Sequence, residues 1–292
     1  MRIAIYGRPI KTKDFKNFFN SFTQMLNNEG IVFEVVSSYN DFLAKEYSFE
    51  CNTCYDELNR NNYACLISLG GDGTILDTLA LVKDSELPVM GINLGRLGFL
   101  ANIKMEEVEV AIKALKNDDF TIESRAVLEV VSTIKELQVF PFALNDFVVQ
   151  KRDTSAMITV KAHLNDDFLN NYWADGLIVS TPTGSSGYSL SCGGPLIFPG
   201  SRAFVITPIA AHNLTVRPAV IPDNNTLNLE ISSRGNLVLV SLDSRSFKVP
   251  ADAKLKIKKA DFQFNMIRLE QNNYMDTLRN KLLWGTDKRD LI

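Results

Sequence analysis

Gly70-Gly71-Asp72-Gly73-Thr74 places one carboxylate and one hydroxyl among three glycines, a pattern suited to holding a phosphate. Three glycines let a backbone close on an anion and adopt positive φ. A helix starting there turns free N–H groups and the positive end of its dipole towards a phosphate. Thr74 could cap that helix or give its hydroxyl to a phosphate oxygen. Asp72 is the odd member, because a carboxylate among phosphate-holding groups repels the ligand unless it has a task. It can take a proton from a hydroxyl attacking phosphorus, or help hold a magnesium ion. The plainer reading is a tight turn in which Asp72 caps the helix. The spacing is not that of G-x-x-x-x-G-K-[ST], and Leu76 stands where G-x-G-x-x-G needs its third glycine.

A second set of polar residues lies further along. Asn145-Asp146 reads on its own as a turn pair before the strand Phe147-Val148-Val149. Thr181 to Gly194 is rich in Gly and Ser, and Tyr188 within it could stack on a purine or sit in the core with its hydroxyl satisfied. Asp175 precedes the apolar strand Leu177–Val179, where a carboxylate is ordinarily just solvated. His212 could touch phosphate or ribose, or be structural. Gly184-Ser185-Ser186-Gly187 is not G-x-S-x-G, so a serine hydrolase has little support.

The elements that must carry these residues alternate over the first third. Ile3–Tyr6, Ile31–Val36, Cys65–Leu69 and Pro88–Leu94 read as strands, and Phe15–Leu26, Thr74–Val82 and Met105–Leu115 as helices. Phe15, Phe18, Phe19, Phe22 and Leu26 share one helical face. Cys65–Leu69 is fully apolar, as in a buried parallel sheet. The rhythm predicts an α/β domain with a doubly wound parallel sheet. After about Phe120 short strands dominate: Ala126–Ile134, Phe142–Gln150, Ile158–His163, Leu227–Ser232, Leu237–Ser241 and Lys254–Ile257, with a hairpin turn at Asn165-Asp166-Asp167. An all-β second domain follows, and a helix over Tyr274–Trp284 returns to the first. The expected divisions are residues 1–120, 121–270 and 271–292.

Composition narrows the functional classes. A net charge of -3 argues against non-specific nucleic-acid binding. No apolar stretch is long enough to cross a bilayer, and the apolar N-terminal run is too short for a signal peptide, so a cytoplasmic protein is expected. Cys51 and Cys54 form a C-x-x-C without the second pair a zinc site wants, so free thiols are expected. Two histidines leave little room for a metal site or a Ser-His-Asp triad.

Gly70–Thr74 matches the G-G-D-G-T turn shared by NAD kinases, by diacylglycerol and sphingosine kinases and, more distantly, by phosphofructokinases. Further segments resemble NAD kinases specifically. Gly91 to Leu100 looks like that family's second signature, and Leu144-Asn145-Asp146 is similar to its Asn-Glu pair. Asp175-Gly176 followed by Ser180 to Ser191 resembles its nucleotide-binding segment. His212 to Pro218 resembles its His-Thr-Leu-Ser-Ala-Arg-Pro stretch, and Asp276 to Leu282 its C-terminal helix. The matches keep the family's order along most of the chain.

The resemblance implies an α/β domain followed by a β-rich domain, with the active site between them. It implies that Asp72 deprotonates the 2′-hydroxyl of NAD's adenosine ribose. Gly70, Gly71 and Gly73, with Thr74 beside them, would cradle phosphates of the donor or of NAD. Asn145 and Asp146 would hold ribose hydroxyls, and Asp175 would contact the nicotinamide half. Thr183, Ser186, Gly187, Tyr188 and Ser191 would line the adenosine site, with Ser189 and Leu190 in the same segment and Ala210 nearby. Trp173 occupies a position that is often basic. Asp146 stands for the commoner Glu, Ser186-Gly187 for Thr-Ala, and Asp243-Ser244-Arg245 for Asp-Gly-Gln. These departures bear on NAD against NADH. The implied reactants are NAD and ATP (or polyphosphate) with a divalent ion, Mg²⁺, for which no protein ligand set is assigned. The implied state is a dimer or tetramer. The rivals are a lipid kinase with the same turn, which lacks an amphipathic basic helix here, and a non-catalytic NAD sensor, which would not need Asp72.

Overall fold

The computed structural model describes residues 1–54, 57–95, 97–152, 156–270 and 273–283. The chain divides into two compact units, Met1–Glu123 with Asn265–Ile292, and Ser124–Phe264.

The first unit is built on a parallel sheet. Its strands run in the order Thr53–Cys54, Val32–Val36, Arg2–Gly7, Leu66–Leu69, Val89–Asn93. Ile103–Lys104 and Met266 pair with the last of these, also in parallel. All four residues of Leu66–Leu69 are buried, as a strand covered on both faces must be. Helix Lys13–Asn28 starts where Thr12 accepts a hydrogen bond from the Phe15 amide, and it buries Phe15, Phe19, Phe22 and Leu26. Each of these burials contributes roughly 2 kcal/mol. Phe18, expected on the same face, is only partly buried against that cluster.

Two elements here carry weak sequence signals. Helix Ser37–Tyr47 buries only Tyr39 and Leu43 and has no side-chain N-cap, so its periodicity is a single i,i+4 pair. Cys54 sits in the edge strand Thr53–Cys54, and Cys51, Cys65 and Cys192 carry free thiols. The C-terminal helix spans Tyr274–Leu282, N-capped by Asn273, and the Tyr274 ring meets Phe99. Trp284, expected to end that helix, lies outside the described residues.

The second unit stacks two antiparallel sheets about one core. One sheet runs Ala219–Pro222, Ala203–Ile209, Gly176–Ser180, Asp146–Lys151, Leu237–Leu242, Arg245–Pro250. The other includes Asp167–Ala174, Ile158–Leu164, Leu227–Ser232 and the long strand Lys254–Arg268, whose last four residues belong to the first unit. Phe147, Val149, Leu177 and Val179 of the first sheet pack with Val160, Ala162, Leu229 and Leu255 of the second. Asn165 adopts φ 54° in the hairpin between Ile158–Leu164 and Asp167–Ala174. The strand expected over Phe142–Gln150 is broken at Leu144-Asn145.

Candidate active site

In the first unit the glycine turn follows Leu66–Leu69 directly. Gly70 has φ 154°, and a Cβ there would lie 2.2 Å from Thr74 Oγ1, so only glycine fits. The Gly70 amide donates to Ile92 O at 2.9 Å, tying the turn to the neighbouring strand. Gly71 is the N-cap of helix Asp72–Val82 and no side chain caps it. Thr74 is buried beneath the turn.

The plainer reading, in which Asp72 caps this helix, does not hold, because its carboxylate points to another segment. Oδ2 accepts from the Phe99 amide at 2.8 Å, and Oδ1 from the Leu100 and Ala101 amides at 3.0 Å each. A Cβ on Gly98 would stand 1.8 Å from Asp72 Oδ1. Asn93 braces the same loop: its Oδ1 accepts from the Gly95 amide and its Nδ2 donates to Ala101 O. Residues 98–101 thus form a cradle for Asp72. A carboxylate offers about four lone-pair directions, so three amides leave one, on Oδ2.

In the second unit Asn145-Asp146 sits on a comparable arrangement in which the candidate residues supply the amides and Asp243 the carboxylate. The Asp243 carboxylate accepts from the amides of Leu144 at 2.9 Å, Asn145 at 2.8 Å and Asp146 at 3.2 Å. Asp243 itself adopts φ 52°, and its amide donates to Asp146 O. Asp243 had no assigned role in the sequence. Its one visible signal was a position matching the Asp of Asp-Gly-Gln. Thr181 fastens the nucleotide-like segment to this turn: its amide donates to Asn145 O at 2.9 Å and its hydroxyl to Leu144 O at 2.6 Å.

Two polar groups here are held out of water. Asn145 Oδ1 is buried and accepts no hydrogen bond among the described residues. Asp146 is 7% exposed. Burial, aided by the neighbouring Asp243 charge, pushes its carboxyl up to about 7. Burial raises Asp243 as well, against its three amide bonds and Arg245.

The remaining candidates in this unit separate by exposure. Tyr188 is 43% exposed, which removes the core reading of its ring. Burial raises its hydroxyl above the ordinary value, and the charges of Cys192, Asp146 and Asp175 add to that. Gly187 lies beside Asn145, whose Nδ2 would be 4.0 Å from a Cβ there. Ser191 is exposed, and Ser186 and Leu190 are half-buried. Ser189 is fully buried and shares a hydrogen bond with Thr207 Oγ1, so its hydroxyl is spent internally. Thr183 Oγ1 accepts from buried Arg125 at 3.4 Å. Asp175 pairs with Lys151 at 2.7 Å. Ala210 is exposed with φ 46°. Trp173, half exposed, meets the tilted ring of His212 with centroids 4.2 Å apart.

These two units match known proteins along nearly the whole chain. Residues 20–120 match the ATP-NAD kinase N-terminal domain and residues 144–269 the ATP-NAD kinase C-terminal domain. The fold is shared with a yeast NADH kinase solved in complex with NADH, at TM-score 0.85 and 22% identity over 98% of this chain and 88% of that one. It is also shared with an NAD kinase from Archaeoglobus fulgidus in complex with ATP, at TM-score 0.74 and 25% identity over 97% and 99%. An α/β unit with a glycine-rich turn, joined to a β-rich unit, is the architecture of this class of kinases. An NAD kinase of Flavobacterium johnsoniae is 44% identical over 99% of this chain and 100% of its own, and one of Bacteroides fragilis 39% identical over 99% and 100%. The chain belongs to the ATP-NAD kinase family.

Proposed function

We propose that this chain transfers the γ-phosphoryl group of ATP to the 2′-hydroxyl of NAD's adenosine ribose. The oxygen–phosphorus bond to the ribose forms as that to ADP breaks, and the hydroxyl proton passes to Asp72. The observation that carries this reading is the pair formed by Asn145 Oδ1, a buried acceptor without a donor, and the desolvated Asp146 carboxylate. Buried polar atoms are nearly always satisfied, and a ribose diol brings two donors at once. Gly70, Gly71, Gly73 and Thr74 serve phosphate, and Thr183, Ser186, Gly187, Tyr188 and Ser191 the adenosine. Asp175, Trp173 and Ala210 complete the nucleotide contacts.

A divalent ion, Mg²⁺, fits this donor set as a companion of the nucleotide. No three His, Cys, Asp or Glu side chains converge among the described residues, and Mg²⁺ at such sites is commonly held by phosphates, waters and one or two carboxylates. The ion supplies charge neutralisation on the transferred phosphoryl group. No helix among the described residues is long and apolar enough to cross a membrane. A cytoplasmic dimer or tetramer using ATP, or polyphosphate in its place, completes the reading.

The test is incubation with ATP, Mg²⁺ and NAD, read out by an NADP-specific dehydrogenase. NADP should form, while diacylglycerol and sphingosine should remain unphosphorylated. Lipid phosphorylation without NADP would sink the assignment.

The raised Asp146 carboxyl adds a pH dependence with a definite sign. Accepting a ribose hydroxyl is stronger in the ionised form. NAD affinity should therefore rise with pH up to about 7 and level off above it, by at most about tenfold per unit on the acid side. Folding stability runs the other way. Between 3.8 and about 7 the folded chain holds a proton that the unfolded chain has lost, so this group's contribution falls as pH rises through that window. Calorimetry with NAD from pH 5.5 to 8.5 reads the first effect. An equally steep profile in Asp146→Asn would show that another group is responsible.

A further inference from the structure

One cation beside the phosphate turn has no part in the roles given so far. Arg8 follows strand Arg2–Gly7, which pairs in parallel with Leu66–Leu69 so that Gly7 lies opposite Leu69. Arg8 therefore leaves the sheet at the same carboxyl edge as Gly70, where ligands of open α/β sheets bind. Its guanidinium is fixed in direction. Nε donates to Asp77 Oδ2 at 2.6 Å and Nη2 to Asp77 Oδ1 at 2.7 Å. Asp77 sits on the helix that the turn begins, and the Tyr6 hydroxyl reaches its Oδ2 at 3.3 Å. This fork uses one edge of the guanidinium.

The other edge faces the turn. A Cβ built on Gly73 would lie 3.1 Å from Nη1 and 3.5 Å from Cζ. Nη1 donates to no group among the described residues, and the side chain is 46% exposed. An Arg–Asp pair on a surface is ordinarily worth little. Here Asp77 offsets part of the charge and sets the plane, so the turn is offered two N–H donors in a fixed direction.

We propose that Arg8 is a phosphate-binding residue of the reaction, its Nη1 donating to an oxygen of the phosphoryl group being transferred. This rests on the phosphoryl transfer proposed above. Charge spreads over the equatorial phosphoryl oxygens in the transition state, where a positioned guanidinium acts most strongly. Arg8 gives and takes no proton: the ribose proton goes to Asp72, and the electron pair of the broken bond leaves with ADP.

Steady-state kinetics of Arg8→Gln and Arg8→Lys test this. Arg8→Gln should lower kcat/KM for ATP by about 10- to 100-fold, the range of a charge-assisted hydrogen bond, with KM for NAD within about twofold of wild type. Arg8→Lys should recover little, because an ammonium cannot grip Asp77 bidentately and face the turn together. A kcat/KM for ATP within about twofold of wild type in folded Arg8→Gln overturns the proposal. The wild-type chain offers a second reading: phenylglyoxal modification of Arg8, followed by peptide mass spectrometry, should slow when inorganic tripolyphosphate is added. Equal rates with and without tripolyphosphate also overturn it. If the wild-type chain makes no NADP, the assigned reaction fails, and the protection measurement still decides whether Arg8 meets phosphate.

Discussion

Asp72→Asn should lose at least about a hundredfold in kcat while binding NAD within about tenfold of wild type. A ribose hydroxyl is a poor nucleophile at neutral pH, and removing a general base typically costs about 10²–10⁴ in rate. Because the base works in the transition state, binding should change little. The geometry adds a second effect. Asn keeps an oxygen for two of the amides of Phe99, Leu100 and Ala101, but its NH₂ then confronts the third. That unmatched donor should cost about 1–3 kcal/mol of stability. Turnover must therefore be normalised to folded protein, with kcat, NAD affinity and thermal stability measured on one preparation. A kcat per folded molecule close to wild type would mean that Asp72 only organises the loop.

Asp243→Ala should be the more destructive change for folding. It strands the amides of Leu144, Asn145 and Asp146 together in a buried place. At about 1–3 kcal/mol for each unsatisfied donor, less what entering water restores, the loss should be at least about 3 kcal/mol. A urea denaturation midpoint unchanged from wild type would contradict this. Asp243→Asn is the gentler probe. It keeps a carbonyl oxygen for part of the cradle but removes the charge that helps hold Asp146 protonated. The pH dependence of NAD affinity should shift towards lower pH in Asp243→Asn. A purely structural role would leave that midpoint in place, so the two readouts separate support of the fold from tuning of Asp146.

Both residues show why a site can be visible in the sequence while its working geometry is not. Asp72 stood out because a carboxylate among glycines conflicts with phosphate, a judgement needing only neighbours in sequence. Its hydrogen-bond partners lie 27 to 29 residues away. Asp146 stood beside Asn145 in a recognisable turn, but the carboxylate that organises this turn lies 97 to 99 residues on. The strand expected across Phe142–Gln150 was legible as an apolar run. Its break at Leu144-Asn145 was not, because that break is held by Asp243 and Thr181 from other strands. Asp167–Ala174 was missed for a related reason: Asn170 and Asn171 interrupt its alternation, and pairing with Ile158–Leu164 supplies the order that propensity lacks.

Elements with short-ranged signals could be read along the chain alone. The glycine turn between a buried strand and a helix follows from steric freedom and capping. The β-α-β rhythm follows from hydrophobic period, and the change to short strands after Phe120 from a change of that period. Tertiary structure decided what these residues can do. Burial and an adjacent charge, which depend on strand register and sheet packing, raise the Asp146 carboxyl. Parallel pairing of Arg2–Gly7 with Leu66–Leu69 brings Arg8 to the phosphate turn. Three amides from a distant loop turn Asp72 away from its own helix end. Hydrogen bonding and desolvation act over a few ångströms of space, whatever the separation along the chain, so they are fixed only when the sheets close.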